Sequence, residues 1–362
     1  MANSHVSRRN FITSVAAGAA TVTALPPLQG FSNIFPVDQH LNADREINII
    51  CTEDLSGKEQ QMIRSISKNI NLQMISGEET TAFDNAEVVI GNIGSTALRR
   101  ANKLKWVQVL HAGVENMSEE MKKHPLVLTN MQKVFAPVIA EQAIALLLTL
   151  TRGIAHFAVP NFQRKKWVHN APENIVLDDL YEKTIGIVGM GGIGSETARR
   201  LHYGFHMRVL ATDAKPMHAP DFVEELHDPG WFMEMVPKVD VLMSAAPLTK
   251  ITRGMFNEQV FNSMKPDSYF INMSRGGLVN QDALVNALKS KKIRGAGLDV
   301  VTPEPLPADD PLWTCPNLVI TGHNSTNADV RHKRLFALVM ENVRRYSLGL
   351  SLMNVVDKDK GY

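Results

Sequence analysis

The sequence predicts an α/β fold of two domains, each built on a parallel sheet. Three observations carry that expectation. Short β-rich runs alternate with helical stretches over two separate spans, a long apolar-faced helical pattern lies between the spans, and the second span opens on a strand that runs into a glycine-rich turn.

The 362 residues are 44% hydrophobic and 21% charged, enough apolar material for two cores of ordinary size. With 38 basic and 37 acidic residues the formal net charge is +1, which gives no general pull on phosphate backbones and makes nucleic acid an unexpected partner. Cys51 and Cys315 are far apart and sit in no metal-ligand spacing, so neither a disulfide framework nor a metal site is expected. Residues 1–30 differ from the rest. Ser7-Arg8-Arg9-Asn10-Phe11-Ile12 precedes a weakly apolar Ala/Gly/Thr-rich run that ends around Leu25-Pro26-Pro27. This resembles a twin-arginine export signal, with cleavage after Ala24 as one option, and implies a periplasmic or exported protein; a leader that is no signal would leave it cytoplasmic. The run falls short of the roughly 20 strongly apolar residues of a stable membrane span, and no later segment supplies them.

From Ile47 the elements follow in order. Strands are predicted at Ile47–Cys51, Leu72–Ile75, Val88–Ile90, Trp106–Leu110 and Val127–Leu128, with a helix over Lys58–Ser67 capped by Ser56. They make a first α/β domain over residues 45–145. A helical pattern from Val138 to about Phe157 places Ile139, Ala143, Leu146, Leu147 and Leu150 on one face and is long enough to cross between domains. The second domain, residues 146–324, carries predicted strands at Thr184–Val188, Arg208–Thr212, Val239–Ser244, Tyr269–Asn272, Ala296–Val300 and Leu318–Thr321, six in all, the count of a dinucleotide-binding domain. A last helical segment, Asp329–Leu348, is expected to return to the first domain, which would then comprise 45–145 and 325–362 with a hinge at the crossings.

Gly189-Met190-Gly191-Gly192-Ile193-Gly194 follows the strand Ile185–Val188 and precedes a helical stretch, Ile193–Leu201, the context in which G-x-G-x-x-G marks a dinucleotide site. Gly189 permits the tight turn, Gly191 lets backbone approach a pyrophosphate, Gly194 lets helix and strand pack closely, and the helix start offers free N–H groups. Asp213 ends the next strand, about 20 residues on, where a carboxylate can accept from both ribose hydroxyls and repel a 2′-phosphate. NAD is therefore expected over NADP, with Lys215 pulling the other way; a surface-turn role is the alternative for Asp213.

Pro247-Leu248-Thr249, Asn272-Met273-Ser274-Arg275-Gly276-Gly277, Gly295-Ala296-Gly297-Leu298-Asp299-Val300, Glu304-Pro305 and Thr321-Gly322-His323 occur in this order, and from about Leu146 to His323 the chain resembles the D-isomer-specific 2-hydroxyacid dehydrogenase family. The resemblance implies a Rossmann-type NAD-binding domain beside a flavodoxin-like substrate (catalytic) domain, and hydride transfer between NAD and a small 2-hydroxy or 2-oxo acid of D configuration. It implies Arg275 as the anchor of the substrate carboxylate, His323 as acid/base and Glu304 as its partner. The chemistry agrees residue by residue. Charge develops on the carbonyl oxygen during reduction, a histidine can supply the proton near neutrality, a carboxylate holds the ring, and a guanidinium meets a carboxylate with two parallel hydrogen bonds. Pro247 and Asp299 resemble cofactor-site positions, Asp299 near the carboxamide, with a strand-end cap as its plain alternative. His111-Ala112-Gly113-Val114 resembles the loop whose amides hold the substrate, which assigns Ala112 and Gly113 to substrate binding; a simple turn is the alternative. Glu141 and Arg152 match family positions on the connecting helix, with hinge ion pairs as the alternative. Phe162–Trp167, with its aromatics, resembles the family's dimer arm and implies a homodimer.

Departures are few. Asn280-Gln281 stands where an acidic pair is common, yet asparagine can still cap the next helix. Gly322 replaces a proline and should loosen the loop carrying His323. Two other functions fit the scaffold: phosphite oxidation, and a redox-sensing binding protein that reads NAD occupancy. Formate oxidation is disfavoured, since it goes with a Gln–His rather than a Glu–His pair. An exported nicotinamide enzyme lacks a free cofactor pool, which raises a captive, tightly held NAD as an expectation.

Overall fold

The computed structural model describes residues 45–76, 81–172 and 175–362; the twin-arginine-like leader lies outside the described residues. Five parallel strands, β1 (Ile47–Cys51), β2 (Ile70–Met74), β3 (Val88–Ile90), β4 (Trp106–Gln108) and β5 (Val127–Thr129), form one sheet in the order β2-β1-β3-β4-β5, the flavodoxin-like arrangement. Ser56 caps the helix Gly57–Ile66 in a full capping box with Glu59, satisfying orphan N–H groups at its start.

The second sheet has seven parallel strands: β6 (Thr184–Val188), β7 (Arg208–Thr212), β8 (Glu225–His227), β9 (Val241–Ser244), β10 (Tyr269–Asn272), β11 (Gly295–Leu298) and β12 (Leu318–Ile320), in the order β12-β11-β10-β9-β6-β7-β8. This is the Rossmann order with one strand added at the far edge. The expected six strands fall short by one, because β8 is a three-residue edge strand, Glu225-Leu226-His227, without an apolar run to betray it. Central strands are buried on both faces: all of Thr184–Val188, Val241–Ser244 and Tyr269–Asn272 is buried, as helices on both sides require.

The connecting helix ends earlier than its periodicity predicts. It spans Ala136–Thr151, and Gly153 at φ 63° then turns the chain into a π-turn at Ile154–Ala158 and a short helix at Val159–Gln163. The apolar spacing of Ile154 and Phe157 continues the pattern in sequence, but a left-handed glycine interrupts the helix. Leu146, Leu147 and Leu150 of the connecting helix are buried, each worth about 1.5–3 kcal/mol of apolar transfer. No single described helix is long and apolar enough to cross a membrane; the bent pair around Gly153 passes by length and composition only.

The last helix, Arg331–Ser347, returns to the first sheet. Buried Asn342 donates to the Gln108 side chain of β4 at 2.8 Å, Tyr346 lies 5.3 Å from Trp106 ring to ring, and the Tyr346 hydroxyl donates to Glu87. Val355 then bridges Thr129 of β5, so the chain end is sewn onto the first sheet's edge.

Candidate active site

At the nucleotide end, the turn after β6 is set by sterics. Gly189 has φ 99°, and a Cβ there would lie 2.7 Å from the Ala246 amide nitrogen, so the turn can hold no side chain. A Cβ on Gly194 would overlap the Gly189 carbonyl, which is why the helix Gly192–Phe205 can seat against β6. Gly191 is the N-cap, and a Cβ there would touch no protein atom. No atom of the described residues demands a glycine there, and the open space would admit a pyrophosphate at the helix N-terminus. Gly192 faces the protein instead, packed on Lys133 and Ala136 at the start of the connecting helix, and partly buried Ile193 packs into the core behind it.

Asp213 stands at the end of β7. One carboxylate oxygen accepts from the Met190 amide at 2.6 Å and the other from the Lys215 amide at 2.7 Å, so the acid ties the glycine turn to the end of β7. The Lys215 ammonium lies 4.8 Å above the Tyr362 ring. Pro247 follows β9, where its carbonyl accepts from the Thr252 hydroxyl at 2.7 Å, beside the Ala245–Ala246 backbone that covers Gly189.

The candidate catalytic residues follow the ends of β10, β11 and β12. Arg275 follows β10, and its carbonyl accepts from the Asn272 side chain at 3.1 Å. The turn Gly276–Leu278 behind it presses on the Val301 carbonyl, joining the arginine loop to the loop that carries Glu304. His323, in the left-handed region at φ 50°, donates its amide to the Asp299 carbonyl at 2.8 Å. Its Nδ1 lies 2.7 Å from Glu304 Oε2. A carboxylate can only accept, so Nδ1 carries the proton and Nε2 is left to exchange one. The pair is half exposed, so its value is orientation rather than stability.

Asp299 is buried, and its carboxylate accepts from the Thr321 hydroxyl at 2.6 Å and the amides of Asn324 and Ser325 at 3.2 and 3.3 Å. These bonds brace both flanks of His323 and bear on the loosening expected from Gly322. They give Asp299 the capping work of the plainer expectation. Asn280 does cap the next helix, accepting from the Ala283 amide at 3.0 Å. Gln281 reaches across to accept from the Thr302 amide at 3.2 Å and so steadies the Glu304 loop.

The first sheet contributes the loop after β4. The Ala112 carbonyl accepts from Asn130 at 2.6 Å, and His111 Nδ1 lies 2.6 Å from the Gly113 carbonyl. Gly113 faces Arg275, since a Cβ on it would overlap Nη2. Arg275 thus meets Gly113, beside Ala112, and Glu304 meets His323, so these residues at the carboxyl ends of the strands form one candidate group. Glu141 and Arg152 stay outside it: Glu141 is 3.9 Å from Arg200 of the nucleotide helix, and Arg152 donates to the Asp178 carbonyl at 2.8 Å. The residue that sequence reading missed is Glu115, whose Oε1 accepts from Arg275 Nε at 2.6 Å. Burial pushes the Glu115 carboxyl up, but the hydrogen bond and charge of Arg275, helped by His111, outweigh it and hold the group below its ordinary value. Among the described residues no cluster of three or more His, Cys, Asp or Glu could hold a metal.

Comparison with known proteins agrees with this geometry. Residues 144–325 match the NAD binding domain of D-isomer specific 2-hydroxyacid dehydrogenases. The chain is 34% identical over 275 residues to a glyoxylate reductase of Korarchaeum cryptofilum, covering 74% of this chain and 80% of that one. It is 29% identical over 280 residues to glyoxylate/hydroxypyruvate reductase B of Escherichia fergusonii, covering 76% and 85%. In fold it resembles a D-isomer specific 2-hydroxyacid dehydrogenase of Xanthobacter autotrophicus Py2 solved with NADPH and MES, at TM-score 0.73 and 23% identity over 88% of this chain and 100% of that one. With a matched domain spanning half its length and a relative above 30% identity along most of its own, the chain belongs to the D-isomer specific 2-hydroxyacid dehydrogenase family and is an oxidoreductase acting on CH–OH groups.

Proposed function

We propose that the enzyme interconverts a small 2-oxo acid and its D-2-hydroxy acid, with glyoxylate and hydroxypyruvate, the acids its relatives are named for, as first candidates. The observation that carries this reading is that Arg275, set against the Gly113 loop, and the His323–Glu304 pair both follow the carboxyl ends of neighbouring strands, in loops that touch through Gly276 and Val301. Arg275 anchors the substrate carboxylate through a bidentate edge, and the amides of Ala112 and Gly113 support it. Bound NADH supplies the hydride. As charge develops on the carbonyl oxygen, His323 Nε2 donates its proton there, and Glu304 stabilises the ring while it is charged and fixes its orientation. Gly191 and the N–H groups of the helix start would hold the dinucleotide, on a turn shaped by Gly189, Gly192, Ile193 and Gly194, with Pro247 beside it. Asp213 favours NAD, since its charge would oppose a 2′-phosphate.

The test is loss of reduced-nicotinamide absorbance with a panel of 2-oxo acids in wild type and His323→Ala. Turnover that falls about 10²–10⁴-fold in the variant supports the reading; equal rates in both enzymes, or silence across the panel, sink it. A higher kcat/KM with NADPH than with NADH would overturn the cofactor preference.

Two further parts of the reading concern setting. A homodimer is supported by the arm after Gly153, where Phe162 and Trp167 are 82% and 97% exposed. Trp167→Glu should shift sedimentation to monomer; an already monomeric wild type contradicts the proposal. Export rests on the leader alone, Ser7-Arg8-Arg9-Asn10-Phe11-Ile12 and the weakly apolar run after it, and a reporter fused to residues 1–30 that stays inside the cell would refute it. If the enzyme is exported, NAD is expected to co-elute with it from gel filtration, and its loss there would discount a captive cofactor.

A further inference from the structure

The guanidinium proposed to receive the substrate carboxylate already holds a carboxylate of the protein itself. Arg275 Nη1 donates to its neighbouring Ser274 carbonyl at 2.8 Å, which turns the Nε/Nη2 edge toward the loop after β4. That edge can make two parallel bonds to a carboxylate. Nε donates to Glu115 Oε1 at 2.6 Å, and Nη2 lies against the bare α-carbon of Gly113. The two side chains are 30% and 29% exposed, so the pair is neither freely solvated nor locked in a core. It also links loops 160 residues apart, one from each sheet. His111, whose Nδ1 is held at the Gly113 carbonyl, lies close enough to favour the Glu115 charge.

We propose that Glu115 is a built-in competitor for the substrate carboxylate: it holds the fork of Arg275 in register across the cleft and sets the concentration of 2-oxo acid needed to displace it. The inference rests on Arg275 being the carboxylate anchor. One edge of one guanidinium serves one carboxylate well. An arriving acid must therefore offer more than Glu115 does, and only a ligand that also reaches His323 and the Gly113 amides gains enough to replace it. Simple anions gain nothing beyond the exchange and are excluded. Glu115 thus acts through Arg275, as a positioning residue.

The experiment compares wild type, Glu115→Gln and Glu115→Asp. For the glutamine variant, which keeps volume and loses charge, KM for the best 2-oxo acid and the inhibition constant of oxamate are expected to fall together by about three- to tenfold. The kcat should change less than KM, and Glu115→Asp should lie between the two. Modification of Arg275 by phenylglyoxal, followed by mass spectrometry without any acid present, is expected to be several-fold faster in Glu115→Gln. A KM that rises, or KM and labelling rates that both stay at wild-type values while the enzyme turns over, defeats this inference and leaves the proposed function standing. A wild type that neither binds nor turns over any acid of the panel defeats the proposed function and this inference with it.

Discussion

The proposed nucleotide end and the proposed substrate end of the site are positioned by different kinds of contact. After β6, backbone meets backbone: Gly194 seats on the Gly189 carbonyl, Gly189 on Ala245 and Ala246, and Asp213 ties down Met190. Around Arg275, charged side chains meet from two sheets, and a single ion pair with Glu115 joins them. A turn held by close backbone contacts has no room for an added atom at Gly189 or Gly194, so its geometry is set by the fold itself. A contact made of two flexible, partly exposed side chains can exchange partners without cost to the fold. The first suits a group that is held for long periods, the second a substrate that comes and goes.

Three substitutions can break or sharpen that contrast. The largest effect is expected at the substrate end, where Arg275→Lys keeps the charge but loses the planar fork. We expect kcat/KM for the 2-oxo acid to drop about 10²-fold while NADH affinity, read by fluorescence titration, stays within about twofold. A matched loss of NADH binding would show the two ends to be one unit. At the nucleotide end the glycines should separate into two classes. Gly194→Ala forces an atom into the Gly189 carbonyl and should cost about 1–3 kcal/mol of stability in denaturant unfolding. Gly191→Ala meets no protein atom and should leave stability unchanged while weakening NADH at least severalfold. If both variants unfold alike, the assignment of Gly191 to an approaching ligand fails.

The smallest effect lies outside the cleft, on the last helix. Hydrogen bonds from Arg344 and Arg345, opposed by modest burial, bring the Glu341 carboxyl down to about 2. A folded value below the unfolded one adds stability above the unfolded value, near 4.5, and that stability is lost as pH falls toward about 2. Because these side chains are about one-third exposed, the contribution should be under about 1 kcal/mol. Glu341→Gln should therefore unfold slightly more easily at pH 7 and like wild type near pH 2; a gap that widens in acid would reverse the sign.

Much of this was legible in the residues because it depends on local rules. The buried strands are near-continuous runs such as Thr184–Val188 and Tyr269–Asn272, and G-x-G-x-x-G keeps its meaning wherever a strand precedes it and a helix follows. Strand β8 was hidden because an edge needs few apolar residues, and the break at Gly153 because an apolar repeat runs on through it. The Glu115–Arg275 pair was hidden by distance along the chain. A signal was present nonetheless: an acid two residues after Gly113, in the very loop assigned to receive an acid, has to be neutralised by something.

The most direct measurement follows the hydride itself. With NADH deuterated at the transferable position and glyoxylate or hydroxypyruvate as acceptor, the account predicts a 2-hydroxy acid carrying one deuterium at C2, formed by wild type and lost with His323→Ala. NADH consumption that leaves C2 unlabelled would contradict direct transfer within this cleft.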